Sequence, residues 1–137
     1  MAASNQTVGS AIVINQCFSP VYLWSVDALV SPQQTLFPGD NYTETFRRDQ
    51  KTGGVAIKIT TVPDGLYESA PQTVFAYNLV DSCVWYDLSD VFGDPFSGEV
   101  VEILPANPAI YWGNGVPPAG SQVRTRPAEE DIILFLC

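Results

Sequence analysis

Thirteen residues in the second half of the chain concentrate the groups that could bind a ligand or react with one. The run 84–96 reads VWYDLSDVFGDPF and holds four aromatic residues and three aspartates. Aromatic rings stack on sugar rings, whereas carboxylates hydrogen-bond hydroxyl groups or act as acids and bases. The run is therefore a candidate for a carbohydrate site, a glycosidase site, a calcium loop or a segment of core with an acidic rim.

The metal interpretation fails on spacing. A calcium loop supplies oxygen ligands at close alternate positions and ends in a glutamate, whereas Asp87, Asp90 and Asp94 are separated by three and four residues. The chain has no histidine, and its three cysteines fit no metal motif. We therefore predict no metal and no cofactor, and the missing histidine excludes Ser-His-Asp and Cys-His catalysis.

The glycosidase interpretation requires two carboxyl groups that face each other across a cleft. In a strand, Asp87 and Asp90 would lie on opposite faces. The main prediction therefore has no catalytic residue. The alternative is a β-1,3-glucan hydrolase that uses Asp87 with Asp90 or Asp94.

The structural interpretation of the run fits its residues best. Trp85, Leu88 and Val91 are expected to be partly core, and 89–90 and 93–95 to be turns. Asp87 is expected to accept backbone N–H bonds at a strand end.

A binding role is predicted on top of this architecture, because the chain has more aromatic residues than a small core needs. Tyr111 and Trp112 lie beside the loop residues 113–115, where their rings are either exposed or cover the end of the domain. The predicted ligand-binding residues are Tyr86, Asp87, Asp90, Asp94, Tyr111 and Trp112.

Composition limits the class of protein and its partners. The 137 residues are 46% hydrophobic and 15% charged, with a net charge of −9, which suits one compact domain. Nucleic acid and anionic membrane surfaces both require clustered positive charge, so neither is an expected partner. No apolar run is long enough to span a bilayer.

The elements that must position these residues are short strands. Residues 54–60 alternate strictly, with Val55, Ile57 and Ile59 on one face and Ala56 and Lys58 on the other. About ten such strands, separated by Gly and Pro turns and with no amphipathic helix, predict an all-β fold, a sandwich or a barrel. We expect a flexible segment 1–9 and one domain over 10–137.

Several stretches resemble the β-sandwich of thaumatin-like proteins: 11–17 (AIVINQC), 75–79 (FAYNL), 85–89 (WYDLS) and 133–137 (ILFLC). Over nearly the whole chain the sequence is similar to the Blastomyces yeast-phase-specific protein family, through 65–67, 85–96 and 114–118. The resemblance implies an antiparallel thaumatin-like β-sandwich and a Cys17–Cys137 disulfide. Cys83 is then a buried thiol in or beside a strand, a cysteine that forms an intermolecular bridge, or one whose partner has been lost. Of the acidic cleft of thaumatin-like proteins, only Asp87 is retained, because the two other acids fall on Ala76 and Phe92.

The resemblance also implies a secreted fungal protein, extracellular or associated with the cell wall. We expect it to bind cell-wall carbohydrate such as β-glucan, or a host surface partner, without enzymatic activity. A virulence effector that recognises a host protein is a further alternative. Asn5 and Asn41 begin N-glycosylation sequons, and Glu44/Arg47 and Arg124/Glu129 are expected surface ion pairs of little energetic weight.

Overall fold

A computed structural model describes residues 8–49, 51, 53–105 and 109–137 of the chain. The predicted all-β class is confirmed: the described residues form eleven strands and one short 3₁₀ helix, Gly65–Glu68. The strands are β1 Ser10–Asn15, β2 Val21–Val26, β3 Gln34–Leu36, β4 Asn41–Thr45, β5 Gly54–Thr60, β6 Gln72–Val80, β7 Cys83–Val91, β8 Val101–Leu104, β9 Ile110–Trp112, β10 Arg124–Pro127 and β11 Ile132–Leu136.

The strands form two sheets that pack face to face as a sandwich. The five-stranded sheet has the order β4-β1-β11-β8-β9, and the six-stranded sheet has the order β10-β7-β6-β5-β2-β3. All pairs are antiparallel except the first and last strands of the chain, β1 and β11, which pair in parallel from Ala11–Ile132 to Asn15–Leu136.

The period-2 patterns place the core between the sheets. In β5, Val55, Ile57 and Ile59 are buried, as the alternation predicts, and β1 and β11 alternate in the same way. The largest fully buried side chains of this core come from both sheets and include Phe75, Ile57, Ile103, Trp112 and Leu134.

The disulfide between Cys17 and Cys137 is present, with the two Cα atoms 4.9 Å apart and 120 residues of separation. In the chain-entropy account, a disulfide that closes a loop of that length stabilises the fold by roughly 4–5 kcal/mol, because it reduces the conformational entropy of the unfolded chain. The bridge lies directly after β1 and β11, so it fastens the parallel pair at one end. Cys83 is a free, partly buried cysteine at the start of β7.

Strand β7 corrects two predictions about the acidic run. It continues through Ser89 and Asp90, which are therefore not a turn. Trp85 and Val91 are 46% and 38% exposed, whereas Leu88 is buried. Residues three positions apart lie on opposite faces of a strand. Leu88 therefore faces the core, whereas Trp85 and Val91 face solvent.

The start of the domain is fixed one residue before β1. The Gly9 amide donates to the Ala128 carbonyl oxygen, and the Gly9 carbonyl accepts from the Phe46 amide. A Cβ at Gly9 would lie 2.3 Å from the Glu130 carbonyl oxygen, so this close approach requires glycine. The rest of the predicted flexible segment, 1–7, lies outside the described residues.

No helix in the part of the chain that the structure describes has the length and apolar character needed to cross a membrane.

Candidate functional site

A concavity of about 460 Å³ lies on the outer face of the six-stranded sheet. Its floor is made by small residues on neighbouring strands, Gly54 and Ala56 of β5 and Ala76 of β6, with Ala56 directly opposite Ala76. Asp87 of β7 is the next residue in that row. Small side chains flanked by larger ones produce a groove that runs across the strands, which we call the sheet groove.

The groove is open because the 3₁₀ helix covers only one part of this face. Tyr67 of that helix stands edge-on to Trp24, with ring centroids 6.4 Å apart, and Trp24 is fully buried although it belongs to the outward row of β2. The helix approaches closely because Gly65 lies against Thr60, where a Cβ would be 2.6 Å from Thr60 Oγ1. Beyond Trp24, Val26 and the small residues of β5 and β6 stay open to solvent.

Asp87 contributes a carboxylate that the fold leaves unpaired. Its side chain is partly buried in the groove, and it makes no hydrogen bond or ion pair with the described residues. Burial raises the pKa of Asp87 above its usual value. The predicted role of Asp87 as an acceptor of backbone N–H bonds is therefore not observed.

Trp85 and Asn78 complete this side of the groove. Trp85 precedes Asp87 by two residues and so lies on the same face of β7, with 46% of its surface exposed. Asn78 is directly opposite Trp85 on β6, and its buried Oδ1 has no hydrogen-bond partner among the described residues. The groove therefore presents an exposed aromatic ring beside a carboxylate that has no partner among the described residues, with the buried amide oxygen of Asn78 behind them.

A second carboxylate lines the groove but is already engaged. Asp27, just after β2, accepts from Arg47 at 3.1 Å and from the Leu29 amide at 2.8 Å. The backbone bond from Leu29 is the main cause that lowers the pKa of Asp27. Asp27 and Asp87 are three strand spacings apart, about 14 Å, which exceeds the carboxyl separation of glycosidases.

The other predicted site residues do not gather around Asp87. Tyr86 is buried in the core, and Trp112 is also buried, with its indole N–H 3.4 Å from Gln122 Oε1. Trp112 therefore closes the end of the sandwich and is not a ligand platform. Tyr111 is 58% exposed, but it belongs to β9 of the opposite sheet.

Asp90 projects toward the interior side of β7, opposite to Asp87. Its Oδ1 accepts from Thr73 Oγ1 at 2.7 Å, and its buried Oδ2 has no partner when the acid is ionised. Burial, together with the neighbouring carboxyl of Asp94, raises the pKa of Asp90 to about 7. A proton on Asp90 Oδ2 can be donated to the neighbouring carboxyl of Asp94. Asp90 and Asp94 therefore form a carboxyl pair of their own outside the groove.

A polar network that the sequence did not reveal lies between the sheets. Glu44 of β4, with a side chain only 9% exposed, accepts from Arg47 at 2.7 Å, from Tyr42 at 2.7 Å and from Tyr77 of β6. Burial and then the bond to Glu44 raise the pKa of Tyr42 to about 12. The network ties edge strand β4 to the six-stranded sheet.

The predicted surface ion pairs are partly corrected. Glu44 and Arg47 do pair, but on a nearly buried carboxylate. Arg124 and Glu129 form no ion pair; the neighbouring pair Arg126–Glu130 forms instead, at 2.8 Å.

The described residues contain no group of three acids or cysteines arranged to hold a metal ion. Asp87, Asp90 and Asp94 are divided between the two faces of β7 and the turn after it.

The two packed sheets, the terminal disulfide and the absence of a second domain in the described chain define a minimal thaumatin-like sandwich. Within that class, the profile of the Blastomyces yeast-phase-specific protein family matches residues 1–137, and the chain belongs to this family.

Curated relatives carry related names. The chain is 32% identical, over an alignment of 149 positions, to the "Antigenic thaumatin-like protein" of Arthroderma benhamiae; the match covers 99% of this chain and 74% of the relative. It is also 32% identical to the "Secreted thaumatin-like protein calA" of Emericella nidulans, over 61% of this chain and 46% of that protein.

Solved structures share the fold. The protein elicitor MoHrip2 from Magnaporthe oryzae superposes with a TM-score of 0.77 at 22% identity, over 94% of this chain and 98% of that one. The thaumatin-like xylanase inhibitor TLXI superposes with a TM-score of 0.60 at 11% identity, over 93% of this chain and 98% of that one. At these identities the likeness establishes the architecture only.

Proposed function

We propose that this protein is a secreted, non-enzymatic binding protein whose sheet groove holds a polysaccharide chain, with β-glucan as the first ligand to test. The observation that carries the proposal is the partly buried carboxylate of Asp87, which has no hydrogen bond among the described residues and lies on the same face of β7 as the exposed ring of Trp85. Partial burial disfavours the charged carboxylate, so a ligand that donates hydroxyl groups to Asp87 would relieve that cost.

The shape of the groove supports an extended ligand. The floor of Gly54, Ala56 and Ala76 runs across the strands. A flat sugar ring could stack on Trp85 while its hydroxyls donate to Asp87. The disulfide and the names of the relatives support secretion.

The hydrolase alternative is disfavoured by geometry. Asp87 and Asp90 lie on opposite faces of β7, and Asp27 is both distant from Asp87 and held by Arg47. Glycoside hydrolysis requires an acid and a nucleophile, or an acid and a base, on one bond, so these positions support a binding role over hydrolysis by Asp87 with Asp90.

The test is binding to insoluble β-1,3-glucan and titration with soluble laminarin oligosaccharides. Trp85→Ala should reduce affinity by about tenfold or more, by analogy with nucleic-acid bases, whose stacking on an aromatic side chain is worth about 1–3 kcal/mol per ring. Tyr111→Ala removes an exposed ring on the other sheet and should leave binding unchanged. Loss of binding in Tyr111→Ala but not in Trp85→Ala would contradict the assignment.

A steric variant tests the groove without removing any polar group. Ala56→Phe should fill the floor and abolish binding, whereas Ala119→Phe, at an exposed loop position, should not. If wild-type protein binds none of these glucans, the carbohydrate proposal fails.

A protein partner is the second candidate, and a separate surface favours it. A concavity of about 330 Å³ lies beside the disulfide, and Phe18 at its edge is fully exposed. One structural neighbour is described as a protein elicitor and the other as a xylanase inhibitor. A response of leaf tissue that survives Trp85→Ala and is lost in Phe18→Ser would favour this candidate.

A further inference from the structure

The outer face of the five-stranded sheet is apolar, although it is not part of the core. Its central side chains come from β1, β11 and β8, and we call them the apolar face: Ile12, Ile14, Ile133, Phe135 and Leu104. Their strand registers place them side by side, with Ile12 opposite Ile133 and Ile14 opposite Phe135. All of them are only partly buried.

No other strand or helix of the described chain lies over the apolar face. The 3₁₀ helix packs against β5 of the opposite sheet, and the remaining elements are members of the two sheets themselves. A sheet with one solvated face normally alternates hydrophobic and polar residues. A contiguous apolar surface on a soluble domain therefore indicates that something covers it.

An N-glycosylation sequon borders the apolar face. Asn41 and Thr43 of edge strand β4 are both exposed, and the intervening Tyr42 points inward to Glu44. Asn41 is directly opposite Ile14, and Thr43 is directly opposite Ile12. The acceptor amide therefore lies in the same row as Ile14 and Phe135 and faces the same side of the sheet.

We propose that an N-linked glycan on Asn41 covers the apolar face. Phe135 is two strand spacings from Asn41, about 10 Å, so the first sugars of a glycan reach Ile14 and Phe135 and lay their C–H surfaces on them. The same glycan blocks the free edge of β4, which would otherwise be available for pairing with another chain.

The modification step is ordinary secretory-pathway chemistry and depends on the chain entering that pathway. The donor is an oligosaccharide linked to a lipid pyrophosphate. The Asn41 amide nitrogen forms a bond to the anomeric carbon and loses a proton, while the lipid pyrophosphate leaves with the bonding electrons.

A neutral glycan fits this face better than a second copy of the chain. The net charge of −9 makes two copies repel each other. Glu102 lies in the row of Phe135, directly opposite it on β8, so a symmetric dimer would bring like charges together at the margin of the contact. A glycan carries no charge to oppose Glu102.

The experiment is secretion of the full chain from a yeast host, intact-mass analysis, and hydroxyl-radical footprinting of side chains. Wild-type protein and Thr43→Ser, which keeps the sequon, should carry a glycan at Asn41 and show low oxidation of Phe135. Asn41→Gln and Thr43→Ala should lack that glycan, and oxidation of Phe135 should rise several-fold. Oxidation of Trp85 on the opposite sheet should be equal in all four proteins.

Three results would overturn the proposal. The first is an unmodified Asn41 in the secreted wild-type protein. The second is a glycan at Asn41 whose removal leaves the oxidation of Phe135 unchanged. The third is a dimer of the glycosylated protein in which Phe135 is protected equally with and without the sequon, since a second copy would then be the cover.

Discussion

Glu44 and Asp87 are both carboxylates withdrawn from solvent on the two sides of the same six-stranded sheet, and the fold treats them in opposite ways. Glu44 lies between the sheets and accepts from Arg47, Tyr42 and Tyr77. Asp87 lies on the outer face and accepts from no described residue. The fold uses the first carboxylate as a hydrogen-bond acceptor, whereas the second has no partner among the described residues, and we propose that a ligand supplies one.

Asp90 stands between these two cases. One of its oxygens is bonded to Thr73 and the other is buried without a partner. The three acids therefore differ in how much of their hydrogen-bonding capacity the fold satisfies. We therefore expect neutralisation of Glu44 to destabilise the fold and neutralisation of Asp90 or Asp87 to stabilise it at neutral pH, with the size of the effect falling from Glu44 to Asp90 to Asp87.

The largest effect is expected at Glu44. Glu44→Gln keeps the shape of the side chain but removes the charge that three donors share, so it should lower the free energy of unfolding by about 2–3 kcal/mol. The measurement is urea denaturation at pH 7. The exposed Glu129→Gln is the matched control and should change stability by less than about 0.5 kcal/mol.

The same substitution has a spectroscopic consequence. Tyr42 has a pKa of about 12, in part because its hydroxyl donates to Glu44. In Glu44→Gln the phenol absorbance should titrate at lower pH. An unchanged tyrosine titration together with unchanged stability would show that the network carries no weight.

The next effect is a pH dependence that originates at Asp90. Its folded pKa is raised to about 7 from 3.8, so its contribution to stability is fully present below about pH 4 and is lost as the pH rises through 7. Allowing for solvent screening of a half-buried group, the loss should be about 1–2 kcal/mol.

Asp90→Asn mimics the protonated acid and provides the comparison. The variant should match wild-type stability near pH 4 and exceed it by that amount near pH 7.5. Asp94→Asn removes the neighbouring charge and should reduce the pH dependence. The free energies of unfolding of wild type and Asp90→Asn should therefore diverge between pH 4 and pH 7.5. A constant difference between them across this range would be incompatible with the assignment.

The smallest effect on stability is expected at Asp87. Burial disfavours its charged form, so Asp87→Asn should change the free energy of unfolding by no more than about 0.5 kcal/mol, in the stabilising direction. The same variant should bind laminarin oligosaccharides more weakly. A large destabilisation would show that Asp87 has a structural partner.

The sequence predicts the frame of this molecule better than its site. Alternation in β5 identified the buried side of that strand, and the family resemblance supplied the Cys17–Cys137 bridge, because both depend on local pattern or on motif order. The groove depends on which strands are neighbours: Asn78, Ala76 and Ala56 become part of one surface only through the β5–β6–β7 register.

Some signals for the site were nevertheless present. Ala56 on the polar face of β5 marked a small residue where a larger polar one is usual, and strict alternation along β7 would have placed Trp85 with Asp87. The burial of Trp112 could not be predicted, because it depends on where the long connection after β9 packs. The Glu44 network was missed for a similar reason, since Tyr77 is distant in sequence.

The central claim is that the sheet groove is the binding site and that the interior network is not. The most direct test is an NMR titration of isotope-labelled protein with a laminarin oligosaccharide, followed by mapping of amide shift changes. The account predicts changes confined to β5, β6 and β7 around Ala56, Asn78 and Asp87, and changes at those amides in Trp85→Ala that require about tenfold or more higher oligosaccharide concentration. Shift changes centred on Tyr111 or on the disulfide end, or none at saturating oligosaccharide, would contradict it.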